Sequence, residues 1–263
     1  MNSYYENKSV VLYNGDSSKV LKQLQADSID LTVTSPPYDN LRQYNGFSFD
    51  FETIAKELFR VTKNGGVVVW IVNDATIKGS ETGTSFRQAL YFKECGFNLH
   101  DTMIWVKPNC FNFGSNKCYR QSFEYMFVFS KGSPKTINLI KDIQTKTNGQ
   151  KLKGARKHSD GTRDVVSDFT CEEYKKRQNV WQINVANSNF GHPAVFPEQL
   201  AKDHILSWSN VGDTVLDPFV GSGTTAKMAL QTSRKCIGIE ISVKYCEIIK
   251  ERCEDELGLF ALI

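Results

Sequence analysis

Two short stretches of this chain carry residue types suited to chemistry. The first is Thr34-Ser35-Pro36-Pro37-Tyr38. Its two consecutive prolines stiffen the backbone and remove two N–H donors, so what remains is a set of acceptors: the Ser35 hydroxyl oxygen and the carbonyls of Ser35 and Pro36. Such a set suits an amino group, which offers two hydrogens. Tyr38 adds an aromatic face on which a planar ring can stack. The second stretch is Asp217-Pro218-Phe219-Val220-Gly221-Ser222-Gly223-Thr224-Thr225. Its glycines allow close approach of a ligand to the backbone, and a helix starting at Thr224 supplies unpaired N–H donors. Nineteen residues beyond Gly221 stands Glu240, a carboxylate able to accept from both hydroxyls of a ribose.

Competing readings of the glycine loop are weaker. A nucleoside triphosphate loop needs Lys after the second glycine, where Thr224 stands. A dinucleotide loop needs a third glycine near position 226, where Ala226 is a permitted but weak substitute. A ligand-free turn would not call for two glycines, a leading Asp and a downstream Glu together. For the proline stretch alone, a rigid turn with a packed tyrosine explains the residues equally well; beside the glycine loop, one shared pocket is the better reading.

The elements that must position these stretches are read from periodicity. Residues 9–13 form a strand, the turn Asn14-Gly15-Asp16 follows, and residues 17–25 form a helix with Val20, Leu21 and Leu24 on one face. Residues 29–34 are a buried strand that the prolines terminate. A helix over 49–61 is broken by Asn64-Gly65-Gly66 before a strand at 67–72. Further elements are a helix at 85–95, strands at 99–106 and 123–129, and a resumption of order at Val180-Trp181. A helix at 197–209, a strand at 214–216, a helix at 224–231, a strand at 235–239 and a helix at 243–254 complete the pattern. Strands alternating with helices predict an α/β fold with a doubly wound, mostly parallel sheet. Both candidate stretches then fall at strand ends, where such sheets bind ligands.

Residues 131–179 interrupt this pattern. They are rich in Lys, Asn, Thr, Gly and Asp, and are expected to be an inserted, largely irregular region between the two parts of a core at 1–130 and 180–263. Charge separates them too. Residues 131–177 hold 12 Lys/Arg against 6 Asp/Glu, an excess of +6 in a chain whose net charge is +3, which leaves −3 for the rest. A regional excess of this kind points to a polyanion bound by one part of the surface. Within it, Lys151, Lys153, Arg156 and Lys157 are candidates for phosphate contacts, with a solvated loop as the plainer reading.

Seven cysteines without a Cys-x-x-Cys pair offer neither a zinc site nor a disulfide framework, and no metal ligands are assigned. The polar start of the chain and the lack of a membrane-length apolar run imply a cytoplasmic setting and no membrane partner. His100, His158 and His204 have no ligand spacing and read as packing or surface residues, while Trp70, Trp105, Phe111, Phe113 and Phe127 read as core.

Taken together, residues 34–38 and 217–225 resemble the amino-directed DNA methyltransferases. Their order, with the proline stretch before the glycine loop, is similar to that family's β group. Asn14-Gly15-Asp16 is similar to the family's segment whose acidic residue approaches the cofactor adenine. His192-Pro193-Ala194-Val195-Phe196-Pro197-Glu198 is similar to the segment beside the cofactor's methionine portion. The resemblance implies a Rossmann-like fold and S-adenosylmethionine as cofactor. It implies a pocket lined by Asp16, Asp217, Pro218, Phe219, Gly221, Ser222, Gly223, Thr224 and Glu240, with Phe196 and Pro197 near the methionine end. Phe196 stands where the family often carries Lys.

Ser35, Pro36, Pro37 and Tyr38 would hold the target base by the same resemblance, and Ser at position 35 is commoner in enzymes acting on cytosine N4 than in those acting on adenine N6. The implied activity is site-specific methylation of cytosine N4 in double-stranded DNA. Adenine N6 is the alternative target, and an inert DNA-recognition subunit the alternative of another class. The insert would recognise the DNA, the enzyme would form part of a restriction-modification system with a cognate restriction endonuclease as possible partner, and the chain would act as a monomer or homodimer. Accepting both amino hydrogens favours a pyramidal nitrogen with a localised lone pair, and the base must leave the helix to be reached. No covalent enzyme intermediate is required, and no Pro-Cys dipeptide occurs.

Overall fold

The computed structural model of the chain describes residues 2–37, 49–109, 118–186 and 197–260. The expectations placed on Tyr38, on Phe111 and Phe113, and on the segment from His192 to Phe196 lie outside these residues.

The chain begins with strands β1 (Tyr5–Glu6) and β2 (Val10–Asn14), followed by helix α1 (Ser17–Val20) and a 3-10 turn at Leu21–Gln23. Strand β3 (Ile29–Thr34), helix α2 (Phe51–Val61) and strand β4 (Thr62–Val72) come next. A small hairpin of β5 (Thr76–Ile77) and β6 (Ser80–Glu81) leads to helix α3 (Thr84–Glu94), then to strands β7 (Asn98–Val106) and β8 (Phe123–Ser130). Four strands follow: β9 (Lys141–Gln144), β10 (Lys151–Lys157), β11 (Arg163–Thr170) and β12 (Tyr174–Lys176). The remainder is β13 (Val180–Gln182), α4 (Glu198–Trp208), β14 (Thr214–Asp217), α5 (Thr224–Gln231), β15 (Lys235–Glu240) and α6 (Val243–Phe260).

Among the described residues, nine strands make one sheet in the order β1-β2-β15-β14-β3-β4-β8-β7-β13. Only β1 and β8 oppose the others, so the sheet is mostly parallel, as expected. Strand β4 shows why both faces must be covered. Val67, Val69 and Ile71 point into one apolar cluster with residues of α4, α5 and α6, whereas Val68, Trp70 and Val72 point into another with residues of α1, α2 and α3. Period-two alternation distributes a continuous apolar run to two layers. Each such fully buried side chain contributes roughly 1.5–3 kcal/mol. The one polar atom of Trp70 is satisfied, since Nε1 donates to Gln88 Oε1 at 2.9 Å.

The chain leaves β14 through α5 to β15 on one side, and β3 lies on the other. Helix α5 packs on one face of the sheet and α1 on the opposite face. The carboxyl ends of β14 and β3 therefore flank the point where the winding reverses, the crevice such folds use for ligands.

Several expectations are corrected. Asn64-Gly65-Gly66 lies within β4 instead of breaking the chain before it; a register shift against β3 between Ile29 and Leu31 accommodates it, with Gly65 at φ +83°. The helix read at 17–25 is a four-residue α1 followed by the tighter turn. The polar start contributes β1 as an edge strand.

The largest correction concerns the insert. Leu139–Gln178 forms a compact unit of its own, and the remainder, Met1–Asn138 with Asn179–Ile263, forms the other. The insert is not largely irregular: β10 pairs antiparallel with β11, and β12 with β9. Its strands escaped detection because β10 is almost wholly exposed, so no alternation of apolar and polar residues marks it. A signal was present at the tip, where Asp160-Gly161 makes the turn, with Gly161 at φ +86° and Asp160 accepting from Thr162 N at 2.9 Å.

Candidate active site and cofactor site

Strands β3 and β14 are paired neighbours running in parallel, with Val215 opposite Leu31 and Leu216 opposite Thr32. Their last residues meet. Thr34 Oγ1 donates to Asp217 Oδ1 at 2.7 Å, and both residues are buried. The proline stretch and the glycine loop, 183 residues apart at this bond, leave the same sheet edge. Beyond Thr34 the backbone turns through Ser35, which is half-buried, and Pro36, which is buried.

The glycine loop is held on several sides. Asp217 Oδ1 also accepts from Phe219 N at 3.0 Å, and Thr225 bonds the same carboxylate. Burial pushes the Asp217 carboxyl above its ordinary range, against the pull of those donors. The Ser17 hydroxyl donates to the Pro218 carbonyl, Val220 N donates to Ile239 O at 3.1 Å, and Gly223 N to Val220 O at 2.8 Å. Gly221 and Gly223 adopt φ +54° and +88°, a left-handed backbone that favours glycine. Gly223 has a second reason to lack a side chain, because an added Cβ would lie 3.1 Å from Ile249 Cγ1 of α6. The Phe219 ring packs edge-on to Phe49 and Trp70, with centroids 5.5 and 6.4 Å away.

At the end of β15, Glu240 accepts from Gly221 N at 3.1 Å and Ser242 N at 2.8 Å, one bond to each carboxylate oxygen. Burial nevertheless raises its pKa to about 7, and the Asp217 charge adds to the rise. A half-satisfied acceptor of this kind gains from further hydroxyl donors. Asn14 and Gly15 tie the end of β2 to the same corner: Asn14 Nδ2 donates to the Glu240 and Ile241 carbonyls at 3.0 and 3.1 Å, and Gly15 N to Glu240 O at 2.9 Å. Asp16 caps α1, its Oδ1 accepting from Ser18 N at 2.8 Å and Ser18 Oγ at 2.7 Å. Thr224, at the start of α5, is buried and its hydroxyl oxygen has no partner among the described residues. A buried hydroxyl without a partner is costly, and a polar ligand at the loop would relieve it.

Of the sequence-assigned residues, Asp16, Ser35, Pro36, Pro37, Asp217, Pro218, Phe219, Gly221, Ser222, Gly223, Thr224 and Glu240 belong to segments leaving one edge of the sheet, while Pro197 precedes α4 and is buried. Sequence reasoning missed the roles of two hydroxyls: Thr34 joins the proline stretch to the glycine loop, and Ser17 ties the start of α1 to that loop; no local pattern marks them. In the other unit, Lys151, Lys153, Arg156 and Lys157 are all exposed along β10. Beside them, His158 Nε2 lies 2.6 Å from Asp164 Oδ2. His204 is buried, stacked on Trp181 at 4.6 Å, and Trp70, Trp105 and Phe127 are core residues, as expected of them.

A Rossmann-like sheet with a glycine loop at its switch point, together with the family match below, defines the class, an S-adenosylmethionine-dependent methyltransferase. The family model described as DNA methylase, covering N6 and N4 methyltransferases, matches residues 29–251, and the chain belongs to that family. The orphan methyltransferase M.BamHII of Bacillus amyloliquefaciens is 58% identical over 242 residues, 88% of this chain and 91% of that protein. The type II methyltransferase M.SmaI of Serratia marcescens is 27% identical over 286 residues, 93% of this chain and 91% of its own. Among solved structures, PvuII DNA methyltransferase (cytosine-N4-specific) superposes with a TM-score of 0.69 at 22% identity, covering 95% of this chain and 88% of that one. The M1.HpyAVI complex with S-adenosylmethionine gives 0.63 at 20% identity, covering 93% and 99%.

Proposed function

We propose that this chain is a site-specific DNA methyltransferase that transfers a methyl group to the exocyclic amino nitrogen of cytosine, forming N4-methylcytosine. The observation that carries the reading is the Thr34 to Asp217 hydrogen bond at 2.7 Å. It puts the acceptor-rich stretch and the glycine loop at one edge, so an amino group and a methyl donor can share a cleft. When bound, S-adenosylmethionine supplies an electrophilic methyl carbon on sulfonium sulfur. Glu240 would accept from its ribose hydroxyls, Asp16 would serve the adenine, the N–H donors and Thr224 hydroxyl at the start of α5 would meet its polar end, and Phe196 and Pro197 would serve its methionine portion. That assignment fits the Glu240 carboxylate and the buried Thr224 oxygen, which has no partner among the described residues.

On the substrate side, the Ser35 hydroxyl and the Ser35 and Pro36 carbonyls accept the amino hydrogens, which keeps the nitrogen lone pair off the ring. That lone pair would receive the cofactor's methyl group, and the Ser35 hydroxyl, which both accepts and donates, would pass the released amino proton toward solvent. Tyr38 stacks on the base once it is extruded from the duplex. Holding the two reactants together supplies much of the acceleration. Ser35 supports cytosine over adenine, by the family preference at this position.

The insert is the target-recognition region in this reading. Lys151, Lys153, Arg156 and Lys157 neutralise phosphates, which gives affinity without sequence information. Replacing all four with Gln is expected to weaken DNA binding and to lower the slope of log affinity against log salt by about 3–4, roughly 0.9 for each phosphate no longer neutralised, with cofactor affinity unchanged. Fluorescence anisotropy of a labelled duplex at several salt concentrations measures it.

The 58% identical relative carries the name of an orphan methyltransferase, which favours a chain working without an endonuclease; the type II names of more distant relatives make a restriction-modification pair the second reading. No helix among the described residues is long and apolar enough to cross a membrane, and the proposed setting is the cytoplasm, where the substrate lies. The test is to methylate duplex DNA, digest it to nucleosides and identify the product by mass. N4-methylcytosine is expected. N6-methyladenine would move the target to adenine, and no methylated nucleoside in the presence of bound cofactor would favour an inert recognition subunit.

A further inference from the structure

The final helix carries a feature that the cofactor assignment does not use. Ile249 and Arg252 are three positions apart on α6 and so share a face, and both are directed at the glycine loop. Ile249 closes on Gly223, where an added Cβ would lie 3.1 Å from Ile249 Cγ1 and force it to shift. The Arg252 guanidinium donates through Nη1 to the carbonyl of Ser222, and through Nη2 to Glu198 Oε1 at 3.2 Å. Ser222 lies between the two left-handed glycines and is buried. Glu198 is the first residue of α4, directly after Pro197. The same Glu198 oxygen accepts from Lys227 Nζ of α5 at 2.9 Å, and Lys227 reaches Glu256 of α6 at 3.5 Å.

We infer that Arg252 is a positioning residue for the cofactor, a clamp that fixes the Ser222 carbonyl and the start of α4 relative to each other, so that the glycine loop holds the arrangement the ligand needs. This rests on the reading that the loop holds S-adenosylmethionine. A guanidinium suits the task because its planar fork carries two donors at a fixed angle, one for a carbonyl and one for a carboxylate, which an ammonium cannot reproduce. Without it, the Ser222 carbonyl loses a charged donor in a buried place. The left-handed turn is then free to rotate its peptide planes away from the arrangement the ligand needs. The pairing with Glu198 carries the constraint to the start of α4, and Lys227 ties that carboxylate to α5, the helix that begins where the loop ends.

The test uses the whole 263-residue chain. Arg252→Met keeps the aliphatic stem and removes the donors; Arg252→Lys keeps the charge. Isothermal titration with S-adenosylmethionine is expected to show about tenfold weaker binding for Arg252→Met, the scale of one charge-assisted hydrogen bond, with partial recovery in Arg252→Lys. KM for the cofactor rises in step, while kcat at saturating cofactor and KM for DNA stay within about twofold of the parent, because the clamp touches neither substrate nor the reacting atoms. A second variant, Glu198→Gln, removes the charge on the far side of the clamp and is expected to weaken the cofactor by a smaller factor in the same direction. Thermal unfolding establishes that each variant is folded. Parent-like affinity in folded Arg252→Met overturns the proposal. If Arg252→Met does not fold, parent-like affinity in both Arg252→Lys and Glu198→Gln overturns it instead. Glu240→Gln separates this inference from the one beneath it: if that variant binds the cofactor like the parent, the loop assignment fails, whereas weakened binding there with no change at Arg252 removes the clamp alone.

Discussion

A Tyr38→Ala protein is expected to lose about 100-fold or more in kcat while binding S-adenosylmethionine within about twofold of the parent. The expectation starts from the division of labour between the two stretches. Tyr38 belongs to the proline stretch, three residues beyond the half-buried Ser35, and is assigned to the base instead of to the cofactor. Stacking of a base on an aromatic ring is worth roughly 1–3 kcal/mol, and a misplacement of about 1 Å at the reacting atoms can by itself cost 10²-fold. Both losses fall on the extruded, correctly oriented base, the state in which the amino hydrogens meet Ser35 and Pro36. Tyr38→Phe keeps the ring and is expected to retain most of the activity. Single-turnover methyl transfer from labelled cofactor gives the rate, and titration calorimetry gives the affinity. Equal loss of cofactor binding in Tyr38→Ala would contradict the division of roles.

The second large effect is expected at Glu240. Its pKa stands at about 7 against an ordinary 4.5, because burial disfavours the carboxylate more than the Gly221 and Ser242 amides favour it. A carboxyl raised in the folded state binds its proton more tightly there than in the unfolded chain. Its contribution to the stability of the ligand-free protein is therefore present below about pH 4.5 and lost as pH rises through about 7. Ribose hydroxyls donate to the ionised form, so cofactor binding lowers this pKa and expels a proton wherever the free protein still carries one. Affinity for S-adenosylmethionine is then expected to rise about tenfold between pH 6 and pH 8, with proton release detectable by calorimetry in buffers of different ionisation enthalpy. Glu240→Gln is expected to weaken binding by about 10- to 100-fold at pH 8 and to flatten this pH dependence, since one acceptor of a bidentate pair becomes a donor. Proton uptake on binding, or pH-independent affinity in the parent, would mean that the carboxylate does not meet the hydroxyls.

Much of this protein is legible along the chain. The helix at Thr224–Gln231 and the strand ends at Asp217 and Glu240 follow within a residue from periodicity and from the glycines between them. Strand β4 is apolar throughout its second half because both its faces are buried, and that run is visible without any structure. Strands β9 to β12 were not legible for the complementary reason. Where a strand buries little, its residues answer to cross-strand partners and turn geometry instead of to burial, and hydrophobic periodicity is silent. The shortening of α1 and the incorporation of Gly65 and Gly66 into β4 were decided by neighbours in the same way.

What the amino-acid order determined by itself was chemistry and local shape: which stretch offers acceptors, which turn tolerates positive φ, which runs are strands. These depend on residues a few positions apart, whose interactions hold in any fold. Tertiary structure alone decided that Thr34 meets Asp217, that Ser17 reaches the Pro218 carbonyl, that Arg252 spans Ser222 and Glu198, and that Glu240 titrates near neutrality. Each of these depends on which distant segments exclude water from a group and which donors arrive there with them, and solvent exclusion is a property of the packed chain.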